Sequence, residues 1–262
     1  MSLEAQQQVI QIDIDADEIG RNHKKTFGLV GDVRLTLECL LERLRSASPP
    51  RTSKKAERES MREEVAKMGN QEPQASILKS LRLGAPENAI LVADLTQVSY
   101  YSRAFWPVYQ PRTYLTPSYA GTLGFAYPTA LGAKVACPER PVISISGDGG
   151  FFYNVQELAT AVQYGIHVVA VIFNDNAYGN VARDMDEYWG GSFGTDLFNP
   201  DIMKLAAAYG IVGMHANTPT DVGKLVREGV ERDCPVLIEV ATGRMSRPLI
   251  FPLRPKPTKY QH

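Results

Sequence analysis

Four short apolar runs constrain the fold of this chain more than any other feature. They are Ala89-Ile-Leu-Val-Ala93, Pro141-Val-Ile-Ser-Ile-Ser146, Val168-Val-Ala-Val-Ile-Phe173 and Pro235-Val-Leu-Ile-Glu-Val240. Each has the length of a strand. The first shows no apolar–polar alternation, and such a run suits a parallel strand covered on both faces. Helical patterning lies between and around them: Ile77 to Leu83, ended by a Gly84-Ala-Pro-Glu turn, then roughly 120–136, 154–164, 199–208 and 220–231. Strands alternating with helices predict an α/β architecture, a mainly parallel sheet with helices on both faces.

The N-terminal part reads differently. Residues 9–15 alternate Val, Ile and Ile with polar residues at the period of a half-buried strand. Asp32 then precedes Val33, Leu37, Leu40, Leu41 and Leu44, one face of a helix with Asp32 as its N-cap. One strand and one helix cannot close a core, so residues 1–45 read as the end of a domain whose beginning is missing. Residues 46–75 open on the turn-forming Ser46-Ala-Ser-Pro-Pro50 and continue in Lys, Arg, Glu and Gln, as a charged linker or a solvated helix would. The α/β segment spans 76–246, and 247–262 form a Pro- and Lys/Arg-rich tail.

Composition narrows the function classes. A net charge of −1, with Glu57, Glu59, Glu63 and Glu64 cancelling their basic neighbours, supplies no electrostatic footprint for nucleic acid. No apolar stretch reaches the ~18 residues of a membrane span. Cys39, Cys137 and Cys234 are far apart and form no CxxC pair, which excludes a disulfide framework or a cysteine zinc site and makes the reducing cytoplasm the expected compartment. His167 falls at the start of its strand, away from the loops considered next, and His23 and His215 show no partner.

Ligands of open α/β sheets sit at the carboxyl ends of the strands. Three loops emerge there: Asp94-Leu-Thr-Gln97, Gly147-Asp-Gly-Gly150 and Asn174-Asp-Asn-Ala-Tyr-Gly179. The glycines of the second allow backbone N–H groups to approach a phosphate, and a following helix would present its positive end. Asp148 places a carboxylate beside that anion, an arrangement that requires a divalent cation, Mg²⁺ or Ca²⁺, between them. The dinucleotide fingerprint fails because Phe152 stands where the third glycine is needed, and no Gly-Lys-Ser/Thr of a phosphate loop follows. Asp175 lies 27 residues beyond Asp148, one crossover later, so adjacent strands would bring the two carboxylates to one cation. Taken singly, each loop is also what an ordinary strand-to-helix turn would use.

The run Gly147-Asp148-Gly149-Gly150 to Asn174-Asp175 resembles the thiamine diphosphate motif, which begins Gly-Asp-Gly and ends Asn-Asn. Gly121-Thr-Leu-Gly-Phe-Ala-Tyr-Pro128, Leu131-Gly-Ala-Lys134 and Gln156-Glu-Leu-Ala-Thr-Ala161 are similar to the diphosphate-binding domain of the acetolactate synthase, benzoylformate decarboxylase and pyruvate decarboxylase group. The likeness covers about residues 76 to 245, and residues 12–44 are similar to the end of that group's central domain. It implies the thiamine diphosphate-binding fold. It also implies that Asp148, Asp175 and the carbonyl of Ala177 hold Mg²⁺ or Ca²⁺, and that backbone groups of Thr96, Gln97, Gly149 and Gly150 cradle the diphosphate. Asp175 stands where the group usually has Asn, which keeps an oxygen donor, adds charge, tightens the cation and slightly weakens attraction for the diphosphate. Leu123 matches the residue that props the cofactor into its bent shape, and the Gly121 carbonyl matches the acceptor of the aminopyrimidine's amino group. Tyr178 and Gly179 match the lining of the thiazolium side. Leu123 and Tyr178 are equally suited to plain packing.

The group's activating glutamate lies on a pyrimidine-binding domain of the neighbouring subunit, and no Glu in residues 1–45 matches its pattern. The implied reading is the cofactor-binding portion of a lyase or transferase acting on a small 2-oxo acid by decarboxylation or carboligation. It carries no catalytic residue of its own, is inactive without the missing pyrimidine-binding domain, and forms a homo-oligomer with no nucleic acid or membrane partner. A complete subunit of a split enzyme, a non-catalytic cofactor-binding module and a generic nucleotide-binding α/β protein are the alternatives. Val181-Ala-Arg-Asp-Met185 places Asp184 near where acetolactate synthases carry a substrate-selecting Trp, and Thr96-Gln97-Val98 replaces their Gly-Gln-His, so the substrate stays open.

Overall fold

The structure, a computed structural model, describes residues 7–47, 52–68, 71–117 and 120–247. The tail expected at 247–262 lies, beyond Arg247, outside the described residues, as does part of the expected linker. Two compact units divide at residue 60, one of residues 1–60 and one of 61–262.

In the first unit, strands β1 (Val9–Asp13) and β2 (Thr26–Val30) pair in parallel, Ile10 opposite Phe27 and Ile12 opposite Leu29. Helix α1 (Val33–Ala47) follows, its first turn capped by the Asp32 carboxylate, which accepts the Leu35 N–H at 3.0 Å. The cap and its helix match the sequence pattern; strand β2, with a central glycine, is not apparent there. No residue of α1 is buried, and Ile10, Phe27, Leu37 and Leu41 are exposed. Helix α2 (Lys55–Met68) is exposed along its described length.

The second unit is built on six parallel strands in the order β4-β3-β5-β6-β8-β7. In chain order its elements are α3 (Gln74–Gly84), β3 (Ile90–Ala93), α4 (Gln97–Phe105), β4 (Tyr114–Leu115), α5 (Ala126–Ala136), β5 (Val142–Gly147), α6 (Asp148–Phe151), α7 (Glu157–Tyr164), β6 (Val169–Asn174), α8 (Gly179–Trp189), α9 (Ile202–Ala208), β7 (Val212–Ala216), α10 (Pro219–Glu231) and β8 (Val236–Ala241). The four apolar runs are the four inner strands, β3, β5, β6 and β8. Their alternate residues feed two cores. Along β6, Val169, Val171 and Phe173 pack with α3, α4 and α10, while Ala170 and Ile172 pack with α5, α7 and α9. Both faces of these strands are buried, so even the serines of β5, Ser144 and Ser146, are enclosed.

Strand order decides where a ligand can sit. From β3 the chain goes to β4 on one side and to β5 and β6 on the other. Crossovers leaving in opposite directions open a crevice at the carboxyl ends of β3 and β5, the topological switch point of an open sheet.

The α3–α10 contact is closed by two glycines. A Cβ on Gly223 would lie 2.1 Å from the Ser80 carbonyl oxygen, and one on Gly84 2.0 Å from the Gly223 carbonyl oxygen. Ser80 Oγ locks the pair by accepting the Gly223 N–H at 2.9 Å and donating to Thr220 O at 3.1 Å. Gly223→Ala is expected to destabilise the unit by about 1–3 kcal/mol, because the backbones must separate. Gly132→Ala, on exposed α5 surface with nothing within 4 Å of the added Cβ, is expected to stabilise it by about 0.5–1 kcal/mol. Urea unfolding of both variants checks the contrast, and equal effects at the two sites would refute the close-contact account.

Candidate functional site

The crevice at the switch point holds a cavity of about 190 Å³ lined by the loops after β3, β5 and β6. Thr96, Gln97, Leu123, Asp148, Gly149, Gly150, Asp175, Ala177, Tyr178 and Gly179 all line it. Gly121 does not; it sits behind Leu95, which does, with its ideal Cβ 3.6 Å from Leu95 Cδ1. Clefts of about 580 and 600 Å³ lie elsewhere, between α3 and α10 and beside Trp106. They are surface grooves away from the strand ends that bring these loops together.

Strand β5 passes into α6 with no intervening loop, so Asp148 is fixed at the sheet edge with 1% of its surface exposed. The glycines beside it are required by packing. A Cβ on Gly149 would lie 2.6 Å from the Tyr178 ring, and one on Gly150 3.3 Å from Asp94 Oδ1. Bare backbone therefore faces the cavity here, where side chains would fill it.

On the neighbouring strand, β6 ends at Asn174, and Asn176 turns the chain with φ of +54°. Ala177 and Asp196 then form a single antiparallel bridge whose hydrogen bonds run from Tyr178 N to Thr195 O (2.8 Å) and from Leu197 N to Asn176 O (2.8 Å). That pattern leaves the Ala177 N–H and C=O outside the bridge. The N–H donates instead to the Asp175 carboxylate. Gly179 makes room for that carboxylate, since a Cβ there would lie 2.2 Å from Asp175 Oδ2.

Asp148 and Asp175 meet side chain to side chain. Burial, and then the charge of Asp148, push the Asp175 carboxyl from 3.8 up to about 6, against the pull of the Ala177 N–H. Two carboxylates in contact in a half-buried crevice, with a free carbonyl two residues on, form a donor set that suits a hard divalent cation. Among the described residues no cluster of three or more His, Cys, Asp or Glu side chains could hold a metal by itself. A cation here would accordingly need further oxygens from a ligand.

Two residues of the site carry no evident mark in the sequence. Asn199, in the loop before α9, donates to Asp148 Oδ2 at 2.6 Å and to Asn174 Oδ1 at 2.9 Å. Asp94, 1% exposed, accepts N–H groups from Leu95 (2.7 Å) and Ala126 (3.0 Å) and from Gly124 and Phe125. Its carboxylate ties the loop after β3 to the turn that carries Gly121 and Leu123. Burial raises its pKa and those N–H groups oppose the rise. At the open rim, the Gln97 amide lies 2.8 Å from Asn180 Oδ1, and Asn180 also meets Arg183. Asp184 is held by Arg183 (3.1 Å) and Arg247 (2.6 Å).

His167 and His215 lie apart from the cavity. His167 pairs with Asp233 at 2.8 Å, at the opposite end of the sheet. His215, expected to lack a partner, faces Glu239 across β7 and β8 at 3.4 Å. The pairing depends on strand register, which sequence spacing does not reveal.

A crevice at the switch point of a parallel sheet, with a carboxylate pair under a glycine turn, defines an α/β domain with a candidate ligand site at its strand ends. The sequence matches the thiamine pyrophosphate enzymes, in their C-terminal TPP binding domain, over residues 94–240. The chain belongs to that family. It is 30% identical over 254 residues to a probable acetolactate synthase large subunit of Methanococcus aeolicus, covering 89% of this chain and 42% of that protein. The acetolactate synthase large subunit of Haemophilus influenzae is 32% identical over 234 residues, covering 84% and 40%. A probable 2-ketoarginine decarboxylase of Pseudomonas aeruginosa is 33% identical over 224 residues, again covering 84% and 40%. The chain thus spans about two-fifths of the length of the curated relatives it matches. Among the described residues no helix is long and apolar enough to cross a membrane.

The raised Asp175 pKa carries a stability prediction. A group that holds its proton more tightly when folded stabilises the fold below its unfolded pKa, and that contribution is lost as pH rises through the folded value. In the metal-free chain, Asp175→Asn is therefore expected to raise the melting temperature at pH 8 and to change it little at pH 4, with the difference growing up to about pH 6. Thermal unfolding in chelator across that range is the measurement. A uniform gain at both pH values would mean that the cost of the charged form, from burial and from the neighbouring Asp148, is not the cause.

Proposed function

We propose that this chain is the diphosphate- and cation-binding portion of a thiamine diphosphate enzyme acting on a 2-oxo acid. The observation that carries the reading is the meeting of Asp148 and Asp175 beneath the Gly147–Gly150 turn at the switch-point crevice. Asp148, Asp175 and the Ala177 carbonyl would hold Mg²⁺, or Ca²⁺ in its place, and the cation would take its remaining oxygens from the diphosphate. Backbone groups of Thr96, Gln97, Gly149 and Gly150 would bind the diphosphate. Gly121 would accept from the aminopyrimidine, Leu123 would hold the bent cofactor, and Tyr178 and Gly179 would border the thiazolium.

The cofactor supplies the hard chemistry, a carbanion equivalent and an electron sink, and the protein supplies placement. In this chain placement begins with Asp94, which ties the turn bearing Gly121 and Leu123 to the loop bearing Thr96 and Gln97. Bare backbone at Gly149 and Gly150 leaves N–H groups open to phosphate oxygens, and the carboxylate pair offsets the cation's charge in a site of restricted water access.

Decarboxylation and carboligation both remain within the reading. The relatives include acetolactate synthases and a probable 2-ketoarginine decarboxylase, and the second name specifies a 2-oxo acid. The domain reading follows the same line: residues 1–45 end a central domain, 46–75 link, 76–246 bind the cofactor and 247–262 form a tail. Two observations support a larger enzyme, with a pyrimidine-binding domain that contributes the activating glutamate and with more than one subunit. The first unit leaves Ile10, Phe27, Leu37 and Leu41 exposed. The cavity of about 190 Å³ is also smaller than the ~300 Å³ lower bound usual for enclosed ligand pockets, as one wall of a shared site would be.

Calorimetric titration with thiamine diphosphate, with and without Mg²⁺, tests the reading. Binding is expected only with the cation and is expected to be lost in Asp148→Ala, provided that variant keeps the wild-type melting temperature in chelator. Because a cation competes with the proton that Asp175 takes up, affinity is expected to fall as pH drops below about 6. Binding that ignores Mg²⁺, or that favours NAD or ATP, would overturn the assignment.

A further inference from the structure

We propose that Asn199 is a positioning residue for the cation site, and that its amide is aimed by a polar chain running from the far edge of the sheet. The inference rests on the cation-binding reading of Asp148 and concerns a residue outside the glycine and acidic motifs.

The chain crosses three strands and has one consistent direction. At its outer end, His215 Nδ1 on β7 lies 3.4 Å from Glu239 Oε2 on β8. Glu239 Oε1 accepts from Asn174 Nδ2 at 2.8 Å, at the end of β6. With its nitrogen donating to Glu239, the Asn174 amide turns its oxygen away. That oxygen then accepts from Asn199 Nδ2 at 2.9 Å and from the Asn176 N–H at 3.2 Å. Asn199 must in turn present its nitrogen, and the same nitrogen donates to Asp148 Oδ2 at 2.6 Å. Each amide has its orientation set by the one before it, and the first is set by Glu239, which has only 15% of its side chain exposed.

The consequence falls on Asp148. With Oδ2 bound to a neutral donor, the carboxylate that lines the cavity is held in one rotation, and a cation would draw on its other oxygen. Outer partners of this kind orient metal-ligating carboxylates, and losing one costs roughly 10–100-fold in metal affinity. A neutral donor suits the place, since a cationic one would compete with the metal for the same carboxylate.

The test is calorimetric titration of Mg²⁺ into the full chain premixed with thiamine diphosphate. Wild type, Asn199→Ala, Asn199→Leu (similar volume, no donor), Glu239→Gln and the Asn199→Ala/Glu239→Gln double variant are compared, with melting temperatures in chelator as the folding control. Both Asn199 variants are expected to lose about 10–100-fold in Mg²⁺ affinity while the metal-free melting temperature changes little. Glu239→Gln, which can present its own N–H₂ to Asn174 and reverse the amides, is expected to lose less. In the double variant it is expected to add nothing to Asn199→Ala, because both act through one contact. Unchanged Mg²⁺ affinity in the Asn199 variants, or additive losses in the double variant, would overturn the proposal. If wild type itself shows no Mg²⁺-dependent cofactor binding, the function proposed above falls, and this inference with it.

Discussion

The site depends on two carboxylates that repel each other and are nevertheless held in contact. Asp148 opens α6 at the end of β5, and Asp175 follows β6, its immediate neighbour in the sheet. The parallel register pairs Gly147 with Phe173, so the two side chains leave the sheet edge at nearly the same level. Nothing local favours this approach. It is enforced by the buried strands beneath, and burial together with the charge of Asp148 raises the pKa of Asp175. On the function proposed above, a cation would supply the counter-charge and the glycine turn above would offer backbone donors to its accompanying anion.

The remainder of the second unit serves that placement. Two cores clamp the inner strands from opposite faces, so neither strand end can shift without disturbing packed side chains. The reversal of strand order beside β3 opens the crevice, and Asp94 ties together the two loops on its β3 side. Asn199 and the polar chain behind it do the corresponding work on the β6 side. The crevice is thus braced from both flanks by buried or half-buried polar groups whose partners are almost all backbone N–H groups or amides.

Some elements were legible in the sequence because their physics is local. The inner strands show as apolar runs because both of their faces are buried, and the Asp32 cap shows because capping needs one side chain at the right offset. The outer strands did not show. β4 has only two residues, and β7, Val-Gly-Met-His-Ala, carries a glycine and a half-exposed face at the sheet edge, so neither makes a continuous apolar signal. Helices α4 and α8 begin inside loops that read as ligand-binding turns, Thr96-Gln97 and Tyr178-Gly179, and the turn residues hid the helices behind them. Asn199 looks in sequence like part of the Asn-Pro-Asp lead-in to α9, where such residues are ordinary.

By itself the sequence determined the kind of structure and the chemistry at its strand ends: a parallel α/β sheet, a glycine turn bearing Asp148, and Asp175 one crossover later. These follow from burial and turn chemistry, which act over a few residues. Tertiary structure alone decided the strand order that opens the crevice, the contact of Asp148 with Asp175, and the partners that aim them, Asn199 at 51 residues and Asn174–Glu239 at 65 residues of separation. Those depend on which strands become neighbours and in what register. That choice is made by the packing of the two cores as a whole, and no short stretch of chain encodes it.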